Sequence, residues 1–128
     1  MKPDVWIWAM TGFAGSLGAV ARYMLSEWVR SLTTRTFPLA TFLINGSGSF
    51  LFGIVWGWNP PAPFQESWPH AIVLLTTGFL GGYTTFSTFG VECAGLIQKK
   101  DWGTAMLYIL LSVSLSLGAT FLGWRIVR

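Results

Sequence analysis

The sequence predicts an all-α membrane protein: one domain over residues 1–128 with four transmembrane helices, the third broken near its middle. Composition points there first. Of 128 residues, 52% are hydrophobic and 10% charged, against about 25% charged in soluble domains, and the mean hydropathy is +0.55. Four apolar runs, at about 5–29, 39–58, 71–97 and 102–127, each reach the ~20 residues that cross a ~30 Å hydrocarbon core. The third run contains Thr77-Gly-Phe-Leu-Gly-Gly-Tyr-Thr-Thr-Phe-Ser-Thr-Phe-Gly-Val-Glu92, rich in glycine and hydroxyls. A bilayer core offers no water to backbone that leaves a helix. Irregular polar backbone is kept there only where it is buried in protein or lines an ion or water path.

The first run is too long for the apolar part of a signal peptide, so this helix is expected to stay. It carries Gly12, Gly15 and Gly18, and the second run carries Gly46, Gly48, Gly53 and Gly57. Gly78 and Gly82 in the third have GxxxG spacing. Small residues let helix backbones approach closely where lipid provides no hydrophobic drive between helices. Between the second and third runs, the prolines of 59–69 predict a stiff extended connection. Residues 33–36 form the first loop, and Gln98-Lys-Lys-Asp101 a tight turn into the fourth helix. The eight tryptophans cluster at the ends of the runs, as an interfacial aromatic belt does. The lone Cys93 can form no intrachain disulfide and is expected to be a small packing residue.

Orientation is balanced. Lys2, Arg125 and Arg128 fall on one side, and Arg30, Arg35, Lys99 and Lys100 on the other. Loop Lys and Arg set membrane orientation, so three against four admits insertion in both directions, which would permit antiparallel dimers. It also admits a single topology under a weak bias. Four helices enclose little volume, so a transport path is expected to need a second copy, and two-fold dimers are the commonest homo-oligomers.

Several polar groups fall inside the apolar runs. Arg22 in the first is costly there and is expected either to reach toward Glu27 or to attract anions into a vestibule. Asn45 in the second needs partners for its donors and acceptor: a passing anion or an interhelical bond. Glu92 is expected to bond to nearby hydroxyls. Thr104, Tyr108, Ser112, Ser116 and Thr120 recur every four residues, one stripe on one helix face. That stripe suits a hydrated ion track, or bonds to a neighbouring helix or to its own i−4 carbonyls. In the central stretch, Gly81-Gly82 permits positive φ and the β-branched Thr84-Thr85 weakens helix. Phe86 and Phe89 lie three apart on roughly one face, with electropositive ring edges that suit either core packing or an anion.

Gly78-Phe-Leu-Gly-Gly-Tyr-Thr-Thr-Phe-Ser-Thr-Phe89 closely resembles the signature of the Fluc (CrcB) fluoride channels, and Gly18-Ala-Val-Ala-Arg22 and Thr41-Phe-Leu-Ile-Asn45 resemble that family's other motifs. The resemblance covers essentially the whole chain. It implies a dual-topology antiparallel homodimer in the bacterial plasma membrane. Such a dimer is a multi-pass channel rather than an enzyme, with lipid and fluoride as its partners and no nucleic acid. Its two pores would export cytoplasmic fluoride by passive flow and so confer fluoride resistance. By the same resemblance, Phe86 and Phe89 line the pores, Asn45 supplies a pore amide, and Tyr108, Ser112 and Ser116 form the polar track of the anion path. Arg22 matches a vestibule arginine. The backbone carbonyls of Gly81 and Thr84 from each subunit would hold a central structural Na⁺. Tyr83 stands where leucine is common, and Gly90 where serine is common. The alternative is a small multidrug-type proton-coupled exporter, also of four helices. That chemistry needs an embedded carboxylate in the first helix, where this chain has Arg22. A haem-anchoring subunit is disfavoured because the only histidine, His70, lies at a helix start.

Overall fold

A computed structural model describes residues 5–128; Lys2, counted in the charge balance above, lies outside them. All regular structure among the described residues is helical. Helix α1 spans Val5–Leu32 and α2 spans Leu39–Gly57. The third rod is composite. It begins as α3 (Trp68–Val73), widens into a π-helical stretch (Leu74–Leu80), and narrows to the single turn α4 (Gly81–Tyr83). After Thr84 and Thr85 it resumes as α5 (Phe86–Gln98), and α6 runs over Trp102–Ile126. The broken third helix of the sequence is therefore present, with its gap at two threonines.

Three stretches are long and apolar enough to cross a membrane: Leu39–Gly57, Trp68–Gln98 and Trp102–Ile126. The expected first span differs. At 28 residues α1 is long enough, but Arg22 and its tryptophans, glycines and serines keep its hydropathy below that of the other three.

The rods associate as two parallel pairs, each seamed by glycine. In the first, α2 packs on α6: Gly53 lies against the Thr120 backbone, Gly57 against Trp124, and Gly123 against Phe50. A methyl group at Gly53 or Gly123 would overlap a carbonyl of the other helix. In the second pair, α1 packs on the π-helical stretch and α4. Gly18 faces Phe79 and Tyr83, and Gly82 faces Gly15. Backbone contact of this kind supplies packing and weak Cα–H···O contacts where burial from water is no driving force.

Two small cores flank the break. On one side Cys93, Leu96, Ala105 and Tyr108 are buried under Phe37, Phe42, Phe89 and Ile109; on the other Ile44, Leu80 and Tyr83 pack with Ala21, Leu25 and Phe79. Cys93 is thus the packing residue expected. Most large apolar side chains point outward, among them Phe13, Leu17, Trp28, Leu110 and Phe121, as they do on lipid-facing helices.

The connections differ in character. The proline-rich one does not run extended throughout: Ala62–Phe64 form a 3₁₀ turn, and Trp58 meets Trp68 edge to face at 4.9 Å, drawing its two ends together. The turn at 99–101 is as tight as expected. Lys100 takes a left-handed φ of 60°, its N–H donates to Ile97 O, and the Asp101 N–H donates to Leu96 O. These two bonds form a Schellman ending for α5. Asp101 then caps α6 by accepting from the Thr104 N–H at 3.2 Å.

Candidate functional site: the helix break and its groove

The break is made by threonines and held by an amide. Thr85 is extended, with φ −150° and ψ 116°, a conformation natural to a β-branched residue. Its Oγ1 caps α5 by accepting from the Thr88 N–H at 3.1 Å. Asn45 of α2 grips the same residue from the other side. The Thr85 N–H donates to Asn45 Oδ1 at 2.8 Å, and Asn45 Nδ2 donates to Thr85 O at 2.9 Å. An amide so placed imitates a neighbouring strand, satisfying backbone that a helix would have satisfied internally. The interhelical alternative for Asn45 is thus the one observed, with its second N–H left over.

This arrangement frees carbonyls. In a continuous helix the Gly81 carbonyl would accept from Thr85 N–H and that of Thr84 from Thr88 N–H. Both donors are engaged elsewhere, with Asn45 Oδ1 and Thr85 Oγ1. The glycines do not produce the break by their conformational freedom. No glycine among the described residues has positive φ, and Gly81 is helical; at Gly82 the need is space for Gly15. Arg22 reaches this point too, its Nη1 donating to Thr84 O at 3.4 Å. It does not pair with Glu27, which is held by Arg30 at 3.2 Å. It is not among the residues that line the groove alongside, and its contact is at the break.

That groove, beside the break, encloses about 590 Å³. Asn45, Gly48 and Phe52 of α2 form one wall, Ser112, Ser116 and Thr120 of α6 another, and Thr84, Thr85, Phe86 and Phe89 the third. The two phenylalanine rings are 5.7 Å apart. Phe86 is 83% exposed, so its ring is an open aromatic wall of the groove. Ser112 is buried, and its hydroxyl finds no protein partner. Thr120, further along, donates to Ser49 O at 3.1 Å.

The expected stripe on α6 divides. Ser112, Ser116 and Thr120 face the groove, Thr104 sits at the α6 start, and Tyr108 is absent from the groove lining. Tyr108 is fully buried, with its ring against Phe89 at 5.0 Å and Phe37 at 5.3 Å. Its hydroxyl donates to Glu92 Oε2 at 2.7 Å, while Thr41 donates to Oε1 at 2.9 Å. Glu92 thus has a hydroxyl on each oxygen, and no carboxylate lines the groove. The sequence marks Thr85 only as a helix-weakening residue and Thr41 only as part of a motif, and it gives no sign of Phe52. A threonine three residues before Thr88 at a helix restart is a capping pattern that would have found Thr85.

The comparisons agree with one another. The family model "CrcB-like protein, Camphor Resistance (CrcB)" matches residues 9–124. A relative from Bacillus cereus, named fluoride-specific ion channel FluC 1, is 41% identical over 120 residues, 94% of this chain and 86% of its own. FluC 2 of Bacillus thuringiensis subsp. konkukian, also named a fluoride-specific ion channel, is 37% identical over 88% of this chain and 89% of its own. A third with that description, FluC of Nitrosococcus oceani, is 37% identical over 92% of this chain and 93% of its own. With the model matching nearly the whole chain and such relatives covered almost end to end, the chain belongs to the CrcB family.

Proposed function

We propose that this protein is a fluoride channel of the cell membrane, letting cytoplasmic fluoride leave by passive flow. The observation that carries the reading is the polarity of the groove. Hydrogen-bond donors face it: the unpartnered Ser112 hydroxyl, Ser116, and the second N–H of Asn45. The nearest carboxylate, Glu92, is held away by Thr41 and Tyr108. Fluoride is small and strongly hydrated, so a selective path must replace its water with donors, and passive flow requires sites weak enough to leave. Ring edges of Phe86 and Phe89 add electropositive hydrogens. Asn45, Phe86, Phe89, Ser112 and Ser116 form the anion path. Tyr108 contributes by fixing Phe89 and Glu92.

The functional unit is an antiparallel homodimer of dual topology with α1 as a fourth span. The exposed Phe86 and the open side of the groove support this, since one chain supplies only part of an enclosed path. Gly81 and Thr84 carbonyls would hold a structural Na⁺ between the subunits. The donor set fits, because both carbonyls have lost their helical donors and hard oxygens suit a hard cation. Such an ion supplies a fixed positive charge and is not carried. The multidrug-type alternative is disfavoured, because proton-coupled cation exchange needs a free embedded carboxylate.

Reconstituted liposomes loaded with fluoride test the reading. Fluoride leak without a proton gradient is expected. Proton-driven cation uptake without fluoride flux would overturn it.

A further inference from the structure

The Thr84 carbonyl has two claimants. It has lost its helical donor, because Thr88 N–H is used by Thr85 Oγ1. Within the chain its partner is Arg22, whose Nη1 lies 3.4 Å away. This guanidinium has no carboxylate partner among the described residues: Glu27 is paired with Arg30, and both oxygens of Glu92 are taken by hydroxyls. Its interaction at the break is therefore with a backbone carbonyl. It lies at the C-terminal end of the half-helix that closes with α4, where exposed carbonyls favour positive charge.

We propose that Arg22 is a built-in rival of the structural cation for the Thr84 carbonyl. This rests on the reading of Gly81 and Thr84 as cation ligands. A guanidinium and a monovalent cation sharing one oxygen would stand side by side in a medium of low dielectric, where like charges repel strongly. Arg22 holds the carbonyl when the cation is absent and withdraws from it when the cation is seated. The chain thus supplies the positive charge of the break before any ion arrives. Cation affinity is lowered by the cost of moving Arg22 away.

The test uses the full-length chain purified in detergent. Sodium is titrated against a bulky organic cation at constant ionic strength, with the thermal unfolding midpoint as readout. Arg22→Gln is expected to lower the half-saturating sodium concentration by about tenfold, the effect of relieving about 1.4 kcal/mol of repulsion. Arg22→Lys, which keeps the charge on a shorter stem, is expected to fall between. Unchanged or weakened sodium affinity in Arg22→Gln overturns the proposal and makes Arg22 a support of the site. If that variant does not fold, Arg22→Lys decides by the same criterion. If wild type and variant both ignore sodium while liposomes still leak fluoride, the cation reading fails and the rivalry with it, but the channel reading stands.

Discussion

Tyr108 and Ser112 stand one turn apart on one face of α6, and both are buried. Their hydroxyls meet opposite fates. That of Tyr108 donates to Glu92 and is enclosed by Phe37 and Phe89, while that of Ser112 opens on the groove with no protein partner. A buried hydroxyl left without a bond costs about 1–3 kcal/mol. Among the described residues the chain meets that cost only at Ser112, on the anion path proposed above. The lesson is that a periodic stripe fixes which residues share a face, while the elements packed against it decide whether each becomes scaffold or path.

Asn45 holds the break and also stands on the proposed path, so it should show the largest effect. Asn45→Ala removes both bonds to Thr85 and is expected to lower stability by about 2–4 kcal/mol; fluoride flux should be lost as well. Asn45→Asp keeps an acceptor for the Thr85 N–H but sets its second oxygen against Thr85 O, so it should be destabilising too. Thermal unfolding in detergent checks both, and an alanine variant as stable as wild type would show that the amide does not hold the break.

Next comes the pair itself. Tyr108→Phe strips Glu92 of one donor and should cost about 1–3 kcal/mol of stability, with flux per folded protein preserved. Ser112→Ala should behave in reverse. Stability is unchanged or slightly raised, and flux falls by about tenfold, the worth of one hydrogen bond to the passing ion. If Tyr108→Phe lowers flux at unchanged stability, Tyr108 belongs to the path and the division of α6 is wrong.

The phenylalanines extend the contrast on a smaller scale of stability. Phe86→Ile should cut flux with little effect on folding within the chain, because the ring is 83% exposed. Phe89→Ile should cut flux and also cost about 1 kcal/mol through its contact with Tyr108. Equal stability losses in the two would dissolve the distinction. The smallest effect lies outside both regions: Lys100→Gly relieves a left-handed φ and should add about 0.5–1 kcal/mol without touching flux.

Much of this is legible in the residues. The lengths of the apolar runs give the helices, and Gly78 and Gly82 announce a close helix contact, which is made with α1. The gap in the third rod is visible from its polar backbone demand, and it falls at one of the two pairs that weaken the helix. Of Gly81-Gly82 and Thr84-Thr85, the chain opens at the threonines, where side-chain caps from Asn45 and Thr85 replace helical bonds. The Thr85 cap is local, but the Asn45 bonds come from forty positions away in sequence, which no local pattern encodes. The same limit hides the role of Tyr108, since its partner Glu92 comes from another helix. Proximity in sequence pairs Arg22 with Glu27, whereas its contact is across the bundle with Thr84. Run length alone puts α1 level with the other three rods, because it gives no weight to the Arg22 charge inside it.

The glycine seam between α2 and α6 has a mechanical consequence. Where Gly53 meets Thr120 and Gly123 meets Phe50, main chain rests on main chain, with no side chain between them to change rotamer and yield. Two walls of the groove are thus held at a spacing set by peptide groups in direct contact. On the anion path proposed above, a larger anion would have to prise two backbones apart, and the seam would act as a size limit.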